Sequence, residues 1–187
     1  MENQVRDLID HTIKQIWEND IKADYENGWL LKEDTLKMSF CHYLRMKLEN
    51  FFLDNDIRIF TEFTDDVFVG SGYRPDIVIA KMNFDRNSEY YGNDVVECLA
   101  VLELKYKKGF NASKDIYRDY EKLCNYIKKL KITCPVYMAT IWEYEDDETL
   151  WERKNSAWAK GKLTELNASY NRESQEKEMR FYVGVHK

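Results

Sequence analysis

The sequence predicts a single α/β domain in which helices flank a mixed central sheet. Its 187 residues are 44% hydrophobic and 14% aromatic, enough for one sizeable core, and seven Gly and two Pro leave little room for a flexible linker. Short apolar segments with period-two alternation are separated by longer segments in which apolar residues recur at helical spacing. These segments follow the order α-β-β-β-α-β.

This core covers about residues 33–142 of a single domain that spans residues 1–187. An extra N-terminal helix precedes the core, and a C-terminal helix/strand extension over residues 143–187 follows it. Within that extension, residues 149–162 have helical texture. Residues 163–178 are polar, and they predict a partly disordered or helical excursion before a last strand.

Three helices are predicted from apolar stripes. The first covers residues 4–18 and is followed by a mixed connector over residues 22–31. The second runs from about Glu33 to Leu53. The third runs from Ser113 to Lys131, and its apolar residues follow one another at steps of 4, 3, 4 and 3, which indicates an amphipathic helix.

Five strands are predicted, over residues 57–63, 73–80, 98–107, 135–142 and 180–185. In the third strand, Leu102 and Leu104 point to one face while Glu103 and Lys105 point to the other, because side chains alternate along a strand. Apolar residues on both faces at positions 98–102 indicate a central strand that is covered on both sides.

Two of these strands carry charged residues where the interior of a strand is expected to be apolar. Asp76 lies in the second strand, and Glu103 and Lys105 lie near the end of the third. A carboxylate and an ammonium two residues apart are costly to bury without a partner. A divalent cation would explain the set, because hard oxygens from Asp76 and Glu103 would hold it while Lys105 faces the anionic group under attack.

The spacing of these charged residues resembles a known signature. Pro75-Asp76 is followed by Glu103-Leu104-Lys105, with 27 residues from Asp76 to Glu103. This pair of segments, on two consecutive apolar strands with a helix before and after, resembles the PD-(D/E)xK motif of restriction-endonuclease-like nucleases. The resemblance covers about residues 33–142 and implies a restriction-endonuclease-like core.

The resemblance implies a metal-dependent nuclease that hydrolyses phosphodiester bonds in nucleic acid, with DNA favoured over RNA. Asp76, Glu103 and the backbone carbonyl of Leu104 would bind Mg²⁺, with Mn²⁺ as a substitute, and the metal would polarise the phosphate and lower the pKa of a bound water. Lys105 would position that water or stabilise the charge of the pentavalent phosphate. Nucleases of this kind that cut both strands are often dimers, so a homodimer is an expected assembly.

A further acid is expected to complete the metal shell, because family members often carry one in the helix before the first strand. Glu33 lies at the N-terminus of that helix, on the same face as Leu36 and Phe40, whereas Glu49 falls on a wetter face. Glu62, at the end of the first strand, could also reach the cleft. The alternative for Glu33 is a favourable interaction with the helix dipole alone.

The most basic region of the chain follows the third strand. Lys107, Lys108, Lys114 and Arg118 extend the positive charge of Lys105 into the next helix, where contacts to phosphate are expected. Acids on the same helix dilute this charge, and a charged outer face is normal for any helix. Phosphate contact and ordinary solvation are therefore both open for this face.

Composition and spacing disfavour several other classes. A net charge of −6 is unlike that of a protein that only coats nucleic acid. The four cysteines have no close pair spacing, which indicates free thiols in a reducing compartment, and the three histidines lack zinc spacing. No segment resembles a signal peptide or approaches the ~18 apolar residues of a membrane span, so a cytoplasmic protein without a membrane partner is expected.

Two other interpretations stay open. One is a catalytically silent binding or scaffold protein on the same fold, in which the acids form a buried ion network. The acidic net charge favours it, and the intact Asp76, Glu103 and Lys105 count against it. The other is a nuclease subunit that acts only inside a larger complex, such as a defence or mobile-element system.

Overall fold

Six strands form one mixed, open sheet, and helices pack on both of its faces. The computed structural model describes residues 2–65, 68–86, 88–108, 113–143, 157–170 and 178–186. The strands are β1 (Ile57–Thr61), β2 (Ile77–Met82), β3 (Val95–Lys107), β4 (Val136–Trp142), β5 (Leu163–Tyr170) and β6 (Met179–Val185). The helices are α1 (Glu2–Gln15), α2 (Lys22–Glu26), α3 (Glu33–Asp54) and α4 (Ser113–Lys128), and a π-helical segment (Ile16–Ile21) joins α1 to α2.

The strands are arranged across the sheet in the order in which they occur in the chain. Strands β1, β2 and β3 are antiparallel neighbours, β3, β4 and β5 are parallel, and β6 returns antiparallel to β5 at the edge. Helix α4 makes the crossover that a parallel β3–β4 pair requires. The order α3-β1-β2-β3-α4-β4 is the predicted α-β-β-β-α-β sequence, and β3 is central, as predicted.

The two faces of the sheet have separate hydrophobic cores. Leu102 and Leu104 of β3 pack on the face that carries α1, the π-helical segment and α3. Val101 packs on the opposite face, against Leu123 and Tyr126 of α4. The predicted alternation of β3 is therefore confirmed, and it directs the side chains of residues 103 and 105 to the α4 side of the sheet.

Helical structure continues further than predicted at the N-terminal end. The predicted connector over residues 22–31 is wrong for its first part, which is helix α2. The buried Ile16 and Ile21 are five residues apart, which suits the wider π turn and escapes a search at a period of 3.6. The helix ends where Gly28 adopts a φ of +74°, which glycine tolerates without strain.

Strand β5 was not predicted. The polar excursion expected over residues 163–178 is wrong for residues 163–170, which form a buried strand between β4 and β6. Its polar side chains prevent its recognition as a strand from sequence alone, but in the fold they have hydrogen-bond partners. Glu165 accepts a hydrogen bond from Asn167 Nδ2 at 2.9 Å and contacts His186 Nε2 at 2.6 Å. Buried polar groups with such partners are compatible with a strand interior.

The remaining C-terminal predictions have mixed outcomes. Residues 157–162 form turns where helical texture was predicted, and residues 149–156 lie outside the described part of the chain. The predicted last strand is confirmed as β6, at the edge of the sheet.

Trp17 provides a test of this packing. Its fully buried ring lies 6.0 Å from the ring of Phe40 and 5.1 Å from the ring of Phe181. We expect Trp17→Ala to lower the free energy of unfolding by about 3–5 kcal/mol, because it removes buried apolar surface and leaves a cavity. The matched control is Trp29→Ala, at a side chain that is 73% exposed, with an expected change within about 0.5 kcal/mol. Urea unfolding measures both, and equal losses would contradict the placement of Trp17.

Candidate functional site

A cleft of about 1270 Å³ opens beside the C-terminal half of β3, and α3 and α4 contribute to its walls. The described residues that line it include six acids, Glu33, Glu62, Asp76, Glu103, Asp119 and Glu121. They also include five bases, Arg74, Lys105, Lys107, Arg118 and Lys122. The cleft thus brings together the four acids and the lysine that the sequence analysis selected, with nearly balanced charge.

Asp76 connects the two halves of the predicted motif. It lies just before β2 and not within the strand predicted over residues 73–80, and it is 7% exposed. Its Oδ2 accepts a hydrogen bond from the backbone N–H of Leu104 at 2.8 Å. The paired register of β2 and β3 ends at Ile77 and Leu102, so the carboxylate takes the place of the next main-chain partner. The N–H and C=O of one strand residue point to the same side, so the carbonyl of Leu104 also points to the β2 side of β3.

Glu103 is buried against α4. It is 2% exposed, and its Oε1 accepts a hydrogen bond from the hydroxyl of Tyr126 at 2.6 Å, while Lys122 Nζ donates to Oε2 at 2.7 Å. Burial raises the pKa of Glu103 to about 8, and the charge of Asp76 adds to this effect, while Lys122 and Tyr126 oppose it. Burial and the adjacent Glu103 raise the pKa of Tyr126, which keeps its hydroxyl a donor.

Lys105 lies between two acids from different helices. Its Nζ is 3.1 Å from Glu33 Oε2 and 3.2 Å from Asp119 Oδ2. Burial lowers the pKa of Lys105, but Asp119 and Glu33 more than offset it, so the pKa is raised above its ordinary value. Lys105 is therefore an ammonium at neutral pH, and Glu33 does more than complement the helix dipole.

Glu62 adopts a backbone conformation that is unusual for its residue type. It follows β1 with a φ of +53°, a region that costs a non-glycine residue about 1–3 kcal/mol. Its Oε1 pairs with Lys37, and its Oε2 lies 2.6 Å from Arg74 Nε. Lys37 Nζ also lies 2.8 Å from Asp76 Oδ1. Glu62 thus shares a lysine with Asp76, whereas Glu33 belongs to the surroundings of Lys105.

The predicted phosphate-contact residues divide between two places. Lys107 and Arg118 line the cleft. Lys108 is exposed, with its ammonium 5.7 Å from the ring centroid of Tyr106, and it is not among the lining residues. Lys114 lies in the first turn of α4, and its side chain falls outside the described part of the chain.

Sequence reasoning missed five side chains that contact the predicted acids and Lys105: Lys37, Arg74, Asp119, Lys122 and Tyr126. Lys37 lies one helical turn after Glu33, which was a usable signal because residues four apart share a helix face. Asp119, Lys122 and Tyr126 follow one another at steps of three and four along α4, so they share one of its faces. These charged positions were ambiguous in the sequence, because a charged helix face usually lies in solvent. They indicate a site only once the helix is known to pack against a strand that also carries charge.

Glu103 gives this site a testable pH dependence. Between its ordinary pKa of about 4.5 and its folded pKa of about 8, the folded protein holds a proton that the unfolded chain releases. Rising pH in this window therefore favours unfolding. We expect the stability of the parent protein, relative to Glu103→Gln, to fall from pH 5 to pH 8 and to level off above it. Urea unfolding at intervals across this range measures it, and a constant difference would rule out the raised pKa.

Neither a cluster of metal ligands nor a membrane-spanning helix is present among the residues that the structure describes. No group of three or more His, Cys, Asp or Glu side chains in those ranges could hold a metal ion. None of the helices described has the length and hydropathy to cross a bilayer. Comparisons with protein-family models, curated proteins and solved structures find no match.

Proposed function

We propose that the chain is a metal-dependent phosphodiesterase that acts on nucleic acid and has a restriction-endonuclease-like core. The observation that carries the proposal is the hydrogen bond from Leu104 N–H to Asp76 Oδ2, which brings Asp76 beside Glu103 and Lys105 in one cleft. The order of helices and strands from α3 to β4 also agrees with the order that the resemblance implies.

The oxygen donors of the cleft fit Mg²⁺. Mg²⁺ usually binds one or two carboxylates and completes its octahedron with waters and substrate phosphate, so it does not require a three-carboxylate cluster. Asp76, Glu103 and the carbonyl of Leu104 would hold it, with Mn²⁺ as a substitute. Glu62, which shares Lys37 with Asp76, is the candidate to complete the metal shell. When bound, the metal would polarise the phosphate and lower the pKa of a water.

Lys105 contributes positive charge to the proposed reaction. Its raised pKa leaves no neutral amine to act as a general base at neutral pH. Glu33 and Asp119 hold its ammonium from two sides and restrict its position. A preorganised charge of this kind stabilises the negative charge that develops on a phosphoryl group.

The charge balance of the cleft indicates how nucleic acid would bind. Six acids and five bases among the described lining residues give no excess of positive charge for a phosphate backbone. Attraction would therefore depend on the metal, with Lys107 and Arg118 as candidate phosphate contacts. DNA is the proposed substrate, and a homodimer or a larger complex is the proposed assembly for cutting two strands.

A second candidate function is a catalytically silent scaffold or binding protein. The observation that favours it is that each predicted carboxylate already has a cationic partner: Lys37 for Asp76 and Glu62, Lys122 for Glu103, and Lys105 for Glu33. Such a closed network could join α3, the strands and α4 without any metal. Metal binding distinguishes the two functions, because only the first requires it.

The proposed activity is tested by incubating single- and double-stranded DNA and RNA with the protein, in Mg²⁺, in Mn²⁺ or in EDTA. We expect metal-dependent cleavage that falls by at least about 100-fold in Asp76→Asn and Glu103→Gln, because each variant replaces a carboxyl group that would hold the metal. The matched control is Glu49→Gln, an exposed acid of α3 that lies 3.7 Å from Arg45.

Circular dichroism of each variant shows whether the fold is kept, and light scattering of the same samples gives the assembly size. Folded parent protein that neither cleaves any substrate nor binds Mn²⁺ in calorimetry would support the scaffold instead. Cleavage that persists in EDTA would contradict the metal-dependent mechanism.

The role of Lys105 is tested separately. We expect Lys105→Met to lower kcat by about 10²–10³-fold while leaving Mn²⁺ affinity close to that of the parent, because the lysine acts on the phosphate and not on the metal. The control is Lys47→Met on α3, whose ammonium lies 3.0 Å from Asp20. Unchanged kcat in folded Lys105→Met would remove Lys105 from the mechanism.

A further inference from the structure

Lys37 of α3 contacts two of the acids that line the cleft, Asp76 and Glu62. Its Nζ lies 2.8 Å from Asp76 Oδ1 and also pairs with Glu62 Oε1. The other oxygen of Asp76 accepts the hydrogen bond from Leu104 N–H. Both oxygens of this carboxylate are therefore engaged, one by the backbone and one by an ammonium on a side chain that is 14% exposed.

The other two lysines that pair with the predicted carboxylates are held differently. Lys122 Nζ donates to the carbonyl of Arg74 at 3.0 Å as well as to Glu103, so it keeps a neutral partner whatever happens to the carboxylate. Lys105 is paired with Glu33 and Asp119. Lys37, in contrast, contacts both Asp76 and Glu62, two acids proposed for the metal shell.

We propose that Lys37 is a built-in competitor for the divalent cation: its ammonium holds Asp76 and Glu62 in the metal-free protein, and metal binding displaces it. This inference rests on the proposed metal-dependent function of the same site. It adds a regulatory role for a residue outside the predicted motif.

The physical reason is charge repulsion at short range. A divalent cation bound to Asp76 would lie close to an ammonium that is itself 2.8 Å from the same carboxylate, in a cleft that is only partly solvated. One of the two cations must leave. The lysine is the mobile one, because its charge is carried on a flexible four-carbon stem.

Displacement would also change what the cleft offers to a substrate. The released ammonium stays attached to α3 beside the cleft, where it can pair with an anion instead of a carboxylate. Entry of the metal would thus convert a self-neutralised site into one with a free cation for phosphate.

The test is the affinity of the protein for Mn²⁺, measured by titration calorimetry without any nucleic acid. We expect Lys37→Met to bind Mn²⁺ at least about fivefold more tightly than the parent, and Asp76→Asn to lose binding. Structural damage would weaken binding, so a gain in affinity cannot come from misfolding. Lys37→Gln is the second variant, because it removes the charge but keeps a hydrogen-bond donor. It provides the same test if Lys37→Met does not fold.

Two controls separate competition from a general change of charge. Lys107→Met removes the same charge from the cleft lining, and Lys47→Met removes it elsewhere on α3. We expect less than a twofold change in Mn²⁺ affinity for each. A gain in Lys107→Met equal to that in Lys37→Met would overturn the proposal, since it would show a long-range effect of charge alone.

The remaining outcomes distinguish this proposal from the one on which it rests. Parent protein that binds Mn²⁺ while both Lys37 variants bind it equally or more weakly overturns the competitor and leaves the metal site standing. Binding in the Lys37 variants but not in the parent supports the competitor strongly. No binding in the parent or in either variant overturns the metal site, and the competitor with it.

Discussion

The hydrogen bond between the backbone of Leu104 and the side chain of Asp76 is the contact on which the candidate site depends. It forms where the pairing of β2 and β3 stops, so the Asp76 side chain accepts the hydrogen bond that a main-chain carbonyl of β2 would otherwise accept from Leu104. This substitution places one carboxylate beside the next residues of β3. The alternation of β3 then directs Glu103 and Lys105 toward α4, which carries Lys122 and Asp119. Local strand geometry thus determines which charges meet.

Charge compensation is the second principle of the site. Buried carboxylates are costly unless they are paired and hydrogen-bonded, and here lysines from α3, β3 and α4 provide the partners. The same pairs hold the two helices in position against the sheet. Structural stabilisation and the proposed metal site therefore involve one network, so substitutions at these residues are expected to affect both.

Much of the fold could be predicted because the informative segments are strongly periodic. The strands from β1 to β4, helix α3, helix α4 and the two-faced pattern of β3 all follow from apolar spacing. Strand β5 could not be predicted, because its buried polar residues have partners that are distant in sequence, such as His186 for Glu165. In the site, the acids stood out within apolar strands, whereas Lys37 and Lys122 lie on helix faces where charge is ordinary. Their importance depends on a tertiary contact, which no local pattern encodes.

The left-handed backbone of Glu62 has a consequence for how this protein balances durability against chemistry. A chain optimised for stability alone would place glycine or asparagine there, since both tolerate a φ of +53° more readily than glutamate does. The carboxylate at this position is instead held by Lys37 and Arg74 at the wall of the cleft. At position 62 the requirements of thermostability and of an acidic cleft therefore differ. A glycine or asparagine there would make the protein more heat-resistant and the cleft less acidic.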